Sequence, residues 1–424
     1  MRRDIATTVE IDQVRDVVTE FVRQREDEVV ELTRELIAAP SPNLPGDETA
    51  PATVVQTWLH RYGLPEAAVR AKEPHRPNLI LRIDGARPGA NLALCGHLDT
   101  KPVGDAADEW NTDPFEATII GDRMYGLGST DMKGACAAMV LAGAAFARVA
   151  NQLSGSLTLV FTADEEYGSR YGAHYLTAER AFEADCIILG EPSGVRDDWD
   201  AIRIVSRGFS GFSVAVKGTQ THSSISDWLP TVNAVEAMAR LMVAFRRELS
   251  FRHPDHALCP TGPTINVGLR AFGGYGYGVV PGEAEFWSDV RTTPGMTFEA
   301  LDEDIRAALS RAEPELRGAT YELQYPDHLR WTPATEVPAN HPVVEATLHA
   351  AEHVLGAAPP LAAFPGATDA CAFHATGNIP TLAAFGPGQL PLAHGPNEWV
   401  SVKSLKQAAM MYALTAIEYT AKAG

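Results

Sequence analysis

Short, nearly unbroken apolar runs recur along this chain, at residues 78–83, 91–95, 157–161, 186–189 and 201–205. A strand with one face in water alternates apolar and polar side chains. Runs this short and continuous suit strands buried on both faces, which points to an α/β sheet covered by helices. Residues 132–149 read as a small-residue helix between two such strands. Residues 11–38 carry helix-spaced apolar positions, Val14, Val17, Val18, Phe21, Val29, Leu32 and Leu36, and Pro40, Pro42 and Pro45 end that helix in a loop.

From about Arg207 the order of elements changes. A strand (211–216), a helix (232–249), two strands (264–270 and 283–291), a helix (298–312) and a strand (320–324) follow one another. This β-α-β-β-α-β order is that of a ferredoxin-like domain, with the glycine-rich stretch 272–278 as the turn between its middle strands. After Pro326 a proline-punctuated linker leads to a helix (343–355), a strand-like segment (381–385) and a terminal helix (405–420). The expected architecture is therefore one discontinuous α/β domain, a mixed central sheet flanked by helices, made of residues 1–206 and 327–424. A ferredoxin-like lid, 207–326, is inserted into it.

The chain's 424 residues and 45% apolar content allow a large buried core, so no disulfide or structural metal is needed for stability. A formal net charge of −19 argues against a nucleic-acid or anionic-membrane partner, either of which calls for a basic face. Cys95, Cys136, Cys186, Cys259 and Cys371 are scattered and contain no Cys-x-x-Cys pair, as expected of reduced thiols in a cytoplasmic protein. Residues 1–9 lack the apolar core of a secretion signal, and no uninterrupted apolar run reaches membrane-spanning length.

The chemistry is signalled by where ligand-type residues fall. The run 91–95 leads directly into Gly96-His97-Leu98-Asp99, the run 157–161 into Asp164-Glu165-Glu166, and the run 186–189 into Gly190-Glu191. The segment 381–385 is followed by a Gly/Pro loop holding His394, and Asp131 stands at the start of the small-residue helix. Taken singly, Asp131 is a helix N-cap, Glu165-Glu166 a solvated loop and His394 a surface histidine. Together they lie at the carboxyl ends of the strands, the edge where open α/β sheets place their sites. Two imidazoles and several carboxylates suit zinc, with cobalt or manganese as alternatives. A pair of such cations needs one shared carboxylate, and a further carboxylate must take the proton of an attacking water.

The same residues resemble the M20 metallopeptidases, a family of deacylases, dipeptidases and carboxypeptidases. The matching segments are Gly96-His97-Leu98-Asp99-Thr100, 110–115, 125–134 with Ser129-Thr130-Asp131-Met132-Lys133-Gly134, Ala163-Asp164-Glu165-Glu166, Gly190-Glu191-Pro192-Ser193, 218–223 with His222, and Ala393-His394-Gly395. The resemblance implies two zinc ions, one on His97, Asp131 and Glu191, the other on Asp131, Glu166 and His394. It implies Glu165 as general base and Asp99 as the partner that orients His97. It further implies that His222, on the lid, reaches a partner subunit's site, that Arg291 and Asn266 hold a substrate carboxylate, and that the lid forms a homodimer. The substrate would be a small N-acyl amino acid or peptide. A non-catalytic, ligand-binding relative of the same fold is the alternative, although every expected position carries its donor.

Two departures stand near the substrate side. Lys101 replaces a residue that is often apolar, and Ala367 and Cys371 replace a glycine and an arginine found in many relatives. A second motif, His349-Ala350-Ala351-Glu352-His353, has the His-x-x-Glu-His form of some zinc enzymes. Its flanks read as an ordinary amphipathic helix, and it is taken as surface. No Gly-x-Ser-x-Gly elbow and no Gly-Lys pair of a P-loop occurs.

Overall fold

The computed structural model describes residues 2–422. It divides into two compact units: one runs through Ser206 and resumes at Thr335, and the other comprises Arg207–Ala334 with Pro365–Ala367. The second unit extends past Pro326 because Phe209 and Thr332 exchange backbone hydrogen bonds of 2.8 Å in both directions.

The first unit is built on a six-stranded sheet in the order Ala68–Ala71, Pro77–Asp84, Ser154–Thr162, Arg87–His97, Cys186–Leu189, Thr381–Leu382. The last four run parallel and the first two pair antiparallel, so the sheet is mixed. Ile202–Ser206 lies outside this sheet and joins Thr335–Glu336 and Leu361–Phe364 in a smaller one. The expected strand 381–385 is shorter than its apolar length. Only Thr381–Leu382 pairs with the main sheet, and Gly386–Gln389 then pairs with Pro192–Gly194.

Helix Gly134–Val149 packs against both the sheet and the terminal helix Val402–Lys422, which also lies on the sheet, and its side chains from Gly134 to Phe146 are buried. Small residues permit that close approach: a Cβ on Gly143 would lie 2.6 Å from Leu159 Cδ1. With its flanking turns, the segment Ser129–Gln152 is long and apolar enough to cross a bilayer by length and composition, and 78% of its most apolar 18-residue stretch is buried inside the fold.

The single helix expected over 11–38 is two, Arg2–Arg23 and Glu26–Ile37. The break falls between a basic last turn ending in Arg23 and an acidic first turn, Glu26, Asp27 and Glu28. Each charge complements the helix end it occupies, so two short dipoles are better satisfied than one long one. Helix Thr49–Arg61 has no counterpart in the sequence reading, because its threonines, Ala and Pro51 mask the 3.6-residue period.

In the second unit four antiparallel strands stand in the order Thr264–Gly273, Glu283–Thr292, Gly208–Lys217, Thr320–Gln324. Helices Ala234–Glu248 and Phe298–Ala312 cover one face, which is the ferredoxin-like arrangement. Ala237, Leu241, Ala244 and Phe245 of the first helix and Leu301, Ile305, Ala308 and Leu309 of the second bury against Phe212, Val214 and Phe286. Asn233 and Thr297 cap the two helices by accepting hydrogen bonds from their first amides.

One turn of the first unit demands glycine. Gly155 has φ +72, and a Cβ there would lie 1.9 Å from the Ala90 carbonyl oxygen. Gly155→Ala is expected to lower stability by about 1–3 kcal/mol from backbone strain alone, with the clash adding to it. Urea denaturation of the two proteins measures the difference, and equal midpoints would contradict this account.

Candidate metal centre

The carboxyl ends of the parallel strands supply the site. Arg87–His97 ends on His97, and Asp99 and Lys101 follow in the next loop. Beyond Ser154–Thr162, Asp164 takes a left-handed conformation, φ 68, and turns the chain into Glu165–Tyr167. Glu191 sits between Cys186–Leu189 and Pro192–Gly194, and His394 follows the turn Leu390–Leu392. Asp131 belongs to a wide turn, Ser129–Lys133, ahead of helix Gly134–Val149. It does not cap that helix, whose N-cap is Lys133.

These side chains converge. His97 Nε2 lies 3.0 Å from Asp131 Oδ1 and 3.9 Å from Glu191 Oε1. His394 Nε2 lies 3.2 Å from Asp131 Oδ2 and 3.2 Å from Glu166 Oε2. The donor atoms of His97, Asp131 and Glu166 all fall within 4.8 Å of one another, and so do those of His97, Glu165 and Glu191. His97, Asp131, Glu166 and Glu191 are buried, Glu165 is half-buried, and the His394 side chain is 47% exposed.

His97 Nδ1 faces the Asp99 backbone carbonyl at 3.0 Å and the Asp99 carboxylate at 3.6 Å. A carbonyl can only accept, so Nδ1 carries a proton; burial opposes a charge on the ring, yet the hydrogen bond that Nε2 donates to Asp131 and the nearby Glu191 push the His97 pKa well above the usual imidazole range. Asp99 does more than orient His97. Its carboxylate accepts from the amides of Glu165 and Glu166, each at 3.1 Å, and so fixes the turn that carries both acids.

Electrostatics test whether a cation suits this donor set. Burial pushes the Glu191 and Glu165 carboxyls well above the usual carboxylate range, reinforced by Asp131 and Glu165 around Glu191 and by Asp369 and Glu166 around Glu165. Burial opposes a charge on His394, yet hydrogen bonds to Asp131 and Glu166 hold its pKa up at about 10. Glu166 Oε1 is buried with no hydrogen-bond partner. Four carboxylates, Asp131, Glu165, Glu166 and Glu191, therefore share one permanent cation among the described residues, Lys101, whose Nζ lies 3.2 Å from Glu166 Oε2. The cluster competes for positive charge, and its oxygen and imidazole donors are those that borderline divalent metals take.

Behind the site lies a buried network that sequence reading missed. Asn43 Nδ2 donates to Asp99 Oδ2 at 2.9 Å and to Asp164 Oδ1 at 3.0 Å. Arg76 reaches Asp164 at 3.0 Å and grips Glu48 with two bonds of 2.8 Å. Glu398 accepts from the amides of Gly128, Thr130 and Asp131 at 2.8–3.1 Å, fixing the Asp131 turn. Burial pushes the Glu398 carboxyl up to about 8.

Three sequence-predicted residues lie in the second unit. His222 Nδ1 accepts from the Ser224 amide at 3.2 Å. An amide can only donate, so the neutral ring carries its proton on Nε2. Asn266 Nδ2 donates to Asp289 Oδ1 at 3.0 Å, and Arg291 Nη2 lies 3.4 Å from Asp289 Oδ2. Both thus meet a carboxylate of the protein itself. The His349–His353 motif stays outside the site: it lies on helix Pro342–Leu355, and His349 pairs with Glu418 at 2.6 Å.

A mixed α/β sheet that gathers two imidazoles and four carboxylates at its carboxyl edge defines a metal-dependent hydrolase. Residues 93–418 match the model of peptidase family M20/M25/M40, and the chain belongs to that family. It is 30% identical over 399 residues to a succinyl-diaminopimelate desuccinylase from Phenylobacterium zucineum, covering 93% of this chain and 99% of that protein. It is also 30% identical over 387 residues to an acetylornithine deacetylase from Salmonella arizonae, covering 89% and 94%. A crystal structure of an M20 family metallo-carboxypeptidase from Sulfolobus solfataricus shares the fold, with a TM-score of 0.74 at 20% identity over 93% of this chain and 99% of that one.

Asn43→Ala removes the donor common to Asp99 and Asp164 and leaves two buried carboxylates short of a partner. A loss of about 1–3 kcal/mol is expected, read by thermal or denaturant unfolding. Unchanged stability would show that the network does not hold the Glu165 turn.

Proposed function

We propose that this chain hydrolyses the amide bond of a small N-acyl amino acid or peptide with a free carboxylate, using two zinc ions per subunit, with cobalt or manganese as alternatives. His97, Asp131 and Glu191 would hold one cation, and Asp131, Glu166 and His394 the other. The observation that carries this reading is the division of Asp131: one oxygen faces His97 at 3.0 Å and the other faces His394 at 3.2 Å. A carboxylate so divided suits two cations side by side. When bound, such a pair supplies Lewis acidity and lowers the pKa of a nearby water.

The chain's own groups do the rest. Glu165 is half-buried on a turn fixed by Asp99, with its carboxylate within 4.8 Å of the donor atoms of His97 and Glu191. It takes the water's proton as the oxygen attacks the carbonyl carbon, then returns that proton to the leaving amine. Asp99 keeps the His97 ring in one tautomer. His222, with its proton on Nε2, donates to the carbonyl oxygen as negative charge develops there, from a second copy of the chain. Arg291 and Asn266 face the substrate carboxylate.

Both curated relatives are named for removing an acyl group, succinyl or acetyl, from an amino acid, which favours a deacylase over a peptidase. The edge strand Thr264–Gly273 exposes Leu269 and Phe272, and such an edge supports a homodimer through the second unit. All five cysteines are buried thiols and none forms a disulfide, in keeping with a reducing cytoplasm.

Purified protein assayed against N-acyl amino acids and dipeptides, with and without chelator, tests the activity. Glu165→Gln is expected to cut turnover by about 10²–10⁴-fold while bound metal is retained. Wild-type turnover in that variant would remove the mechanism.

A further inference from the structure

Lys101 stands in the cluster of acids without a part in the reaction just described. Its ammonium donates to the Glu166 backbone carbonyl and lies 3.2 Å from Glu166 Oε2. That same oxygen faces His394 Nε2 at 3.2 Å. Lys101 therefore neutralises the acid on one side of the centre only. Among the described residues, no lysine or arginine pairs with Asp131 or with Glu191, whose ion-pair partners are histidines.

We propose that Lys101 is a fixed internal cation that weakens metal binding at the Glu166–His394 side, so that the two positions fill unequally. This inference rests on the two-cation reading above. The backbone carbonyl is the reason the charge stays in place. It anchors the ammonium independently of the carboxylate, so drawing Glu166 Oε2 towards a divalent ion does not release Lys101. Two positive charges then face one carboxylate oxygen across a partly buried pocket, where repulsion is several times stronger than in water. The side chain is 36% exposed, which leaves the interaction screened in part. The His97–Glu191 side lacks such a neighbour and has more buried ligands, as against a His394 that is 47% exposed.

The test is equilibrium metal binding to the chelator-stripped protein, by competition with a metal buffer, for wild type, Lys101→Met and Lys101→Arg, using Zn²⁺ and Co²⁺. Methionine keeps the length and removes the charge. Two dissociation constants are expected for wild type, with the weaker tightening by about 10–100-fold in Lys101→Met, the tighter moving less than about threefold, and Lys101→Arg staying near wild type. Two constants that are identical in wild type and Lys101→Met overturn the inference and leave the two-cation reading intact. Weaker binding in Lys101→Met overturns it too, because Lys101 would then be supporting Glu166. Uptake of a single equivalent by wild type and both variants overturns the two-cation reading and this inference with it.

Discussion

Four carboxylates crowd the carboxyl edge of one sheet, and their mutual repulsion is the constraint that the rest of the first unit is arranged to manage. Leaving such groups buried and unpaired costs several kcal/mol each. The fold offsets that cost in three ways. It aims two imidazoles at Asp131, one at each oxygen. It sets Lys101 against Glu166. It also directs backbone amides at the acids bordering the cluster, those of Glu165 and Glu166 at Asp99, and those of Gly128, Thr130 and Asp131 at Glu398. Amides have no charge to lose and no rotamer to freeze, so they hold a carboxylate still at little entropic cost.

The same logic explains why the site has depth. Glu48, Arg76, Asp164, Asn43 and Asp99 form a continuous chain of hydrogen bonds that ends on the turn bearing Glu165. Arg76 is the one guanidinium in it, and its planar fork satisfies Glu48 with two bonds while a third reaches Asp164. Asn43 is the neutral spacer that lets two carboxylates stand near one another. A charged residue of either sign there would upset the balance: an acid by adding repulsion, a base by competing with Arg76 for Asp164.

What could be read in the sequence was whatever sits next to a strand. Continuous apolar runs mark buried strands, and a residue immediately after such a run is placed by the sheet itself, so His97, Glu165, Glu166 and Glu191 were legible along with the second unit's element order. The supporting network was not. Asn43 reaches Asp99 across 56 residues and Asp164 across 121, and no periodicity encodes such a pairing. Asp164 stands beside Glu165 in Ala163-Asp164-Glu165-Glu166, and its acidity is the only signal of its place in the network. Helix boundaries failed where local charge outweighed apolar spacing, as between Arg23 and Glu26.

The second unit shows how far a residue's type constrains its task. Arg291 and Asn266 both meet Asp289, a buried carboxylate two residues before Arg291 on its own strand and paired across from Asn266 on the next. That contact alone would account for them as structural residues. Yet a guanidinium carries five N–H donors, and the Asp289 bond, at 3.4 Å, engages one nitrogen at long range. The ring of Phe209 lies 5.0 Å from the guanidinium carbon and covers a face of it, a contact that uses no donor. Asp289 and Phe209 thus hold the fork in one orientation and leave donors for a second anion. An arginine so held has less entropy to lose on gripping a carboxylate than one free in solvent, so the contact with Asp289 is compatible with the substrate-carboxylate role proposed for Arg291.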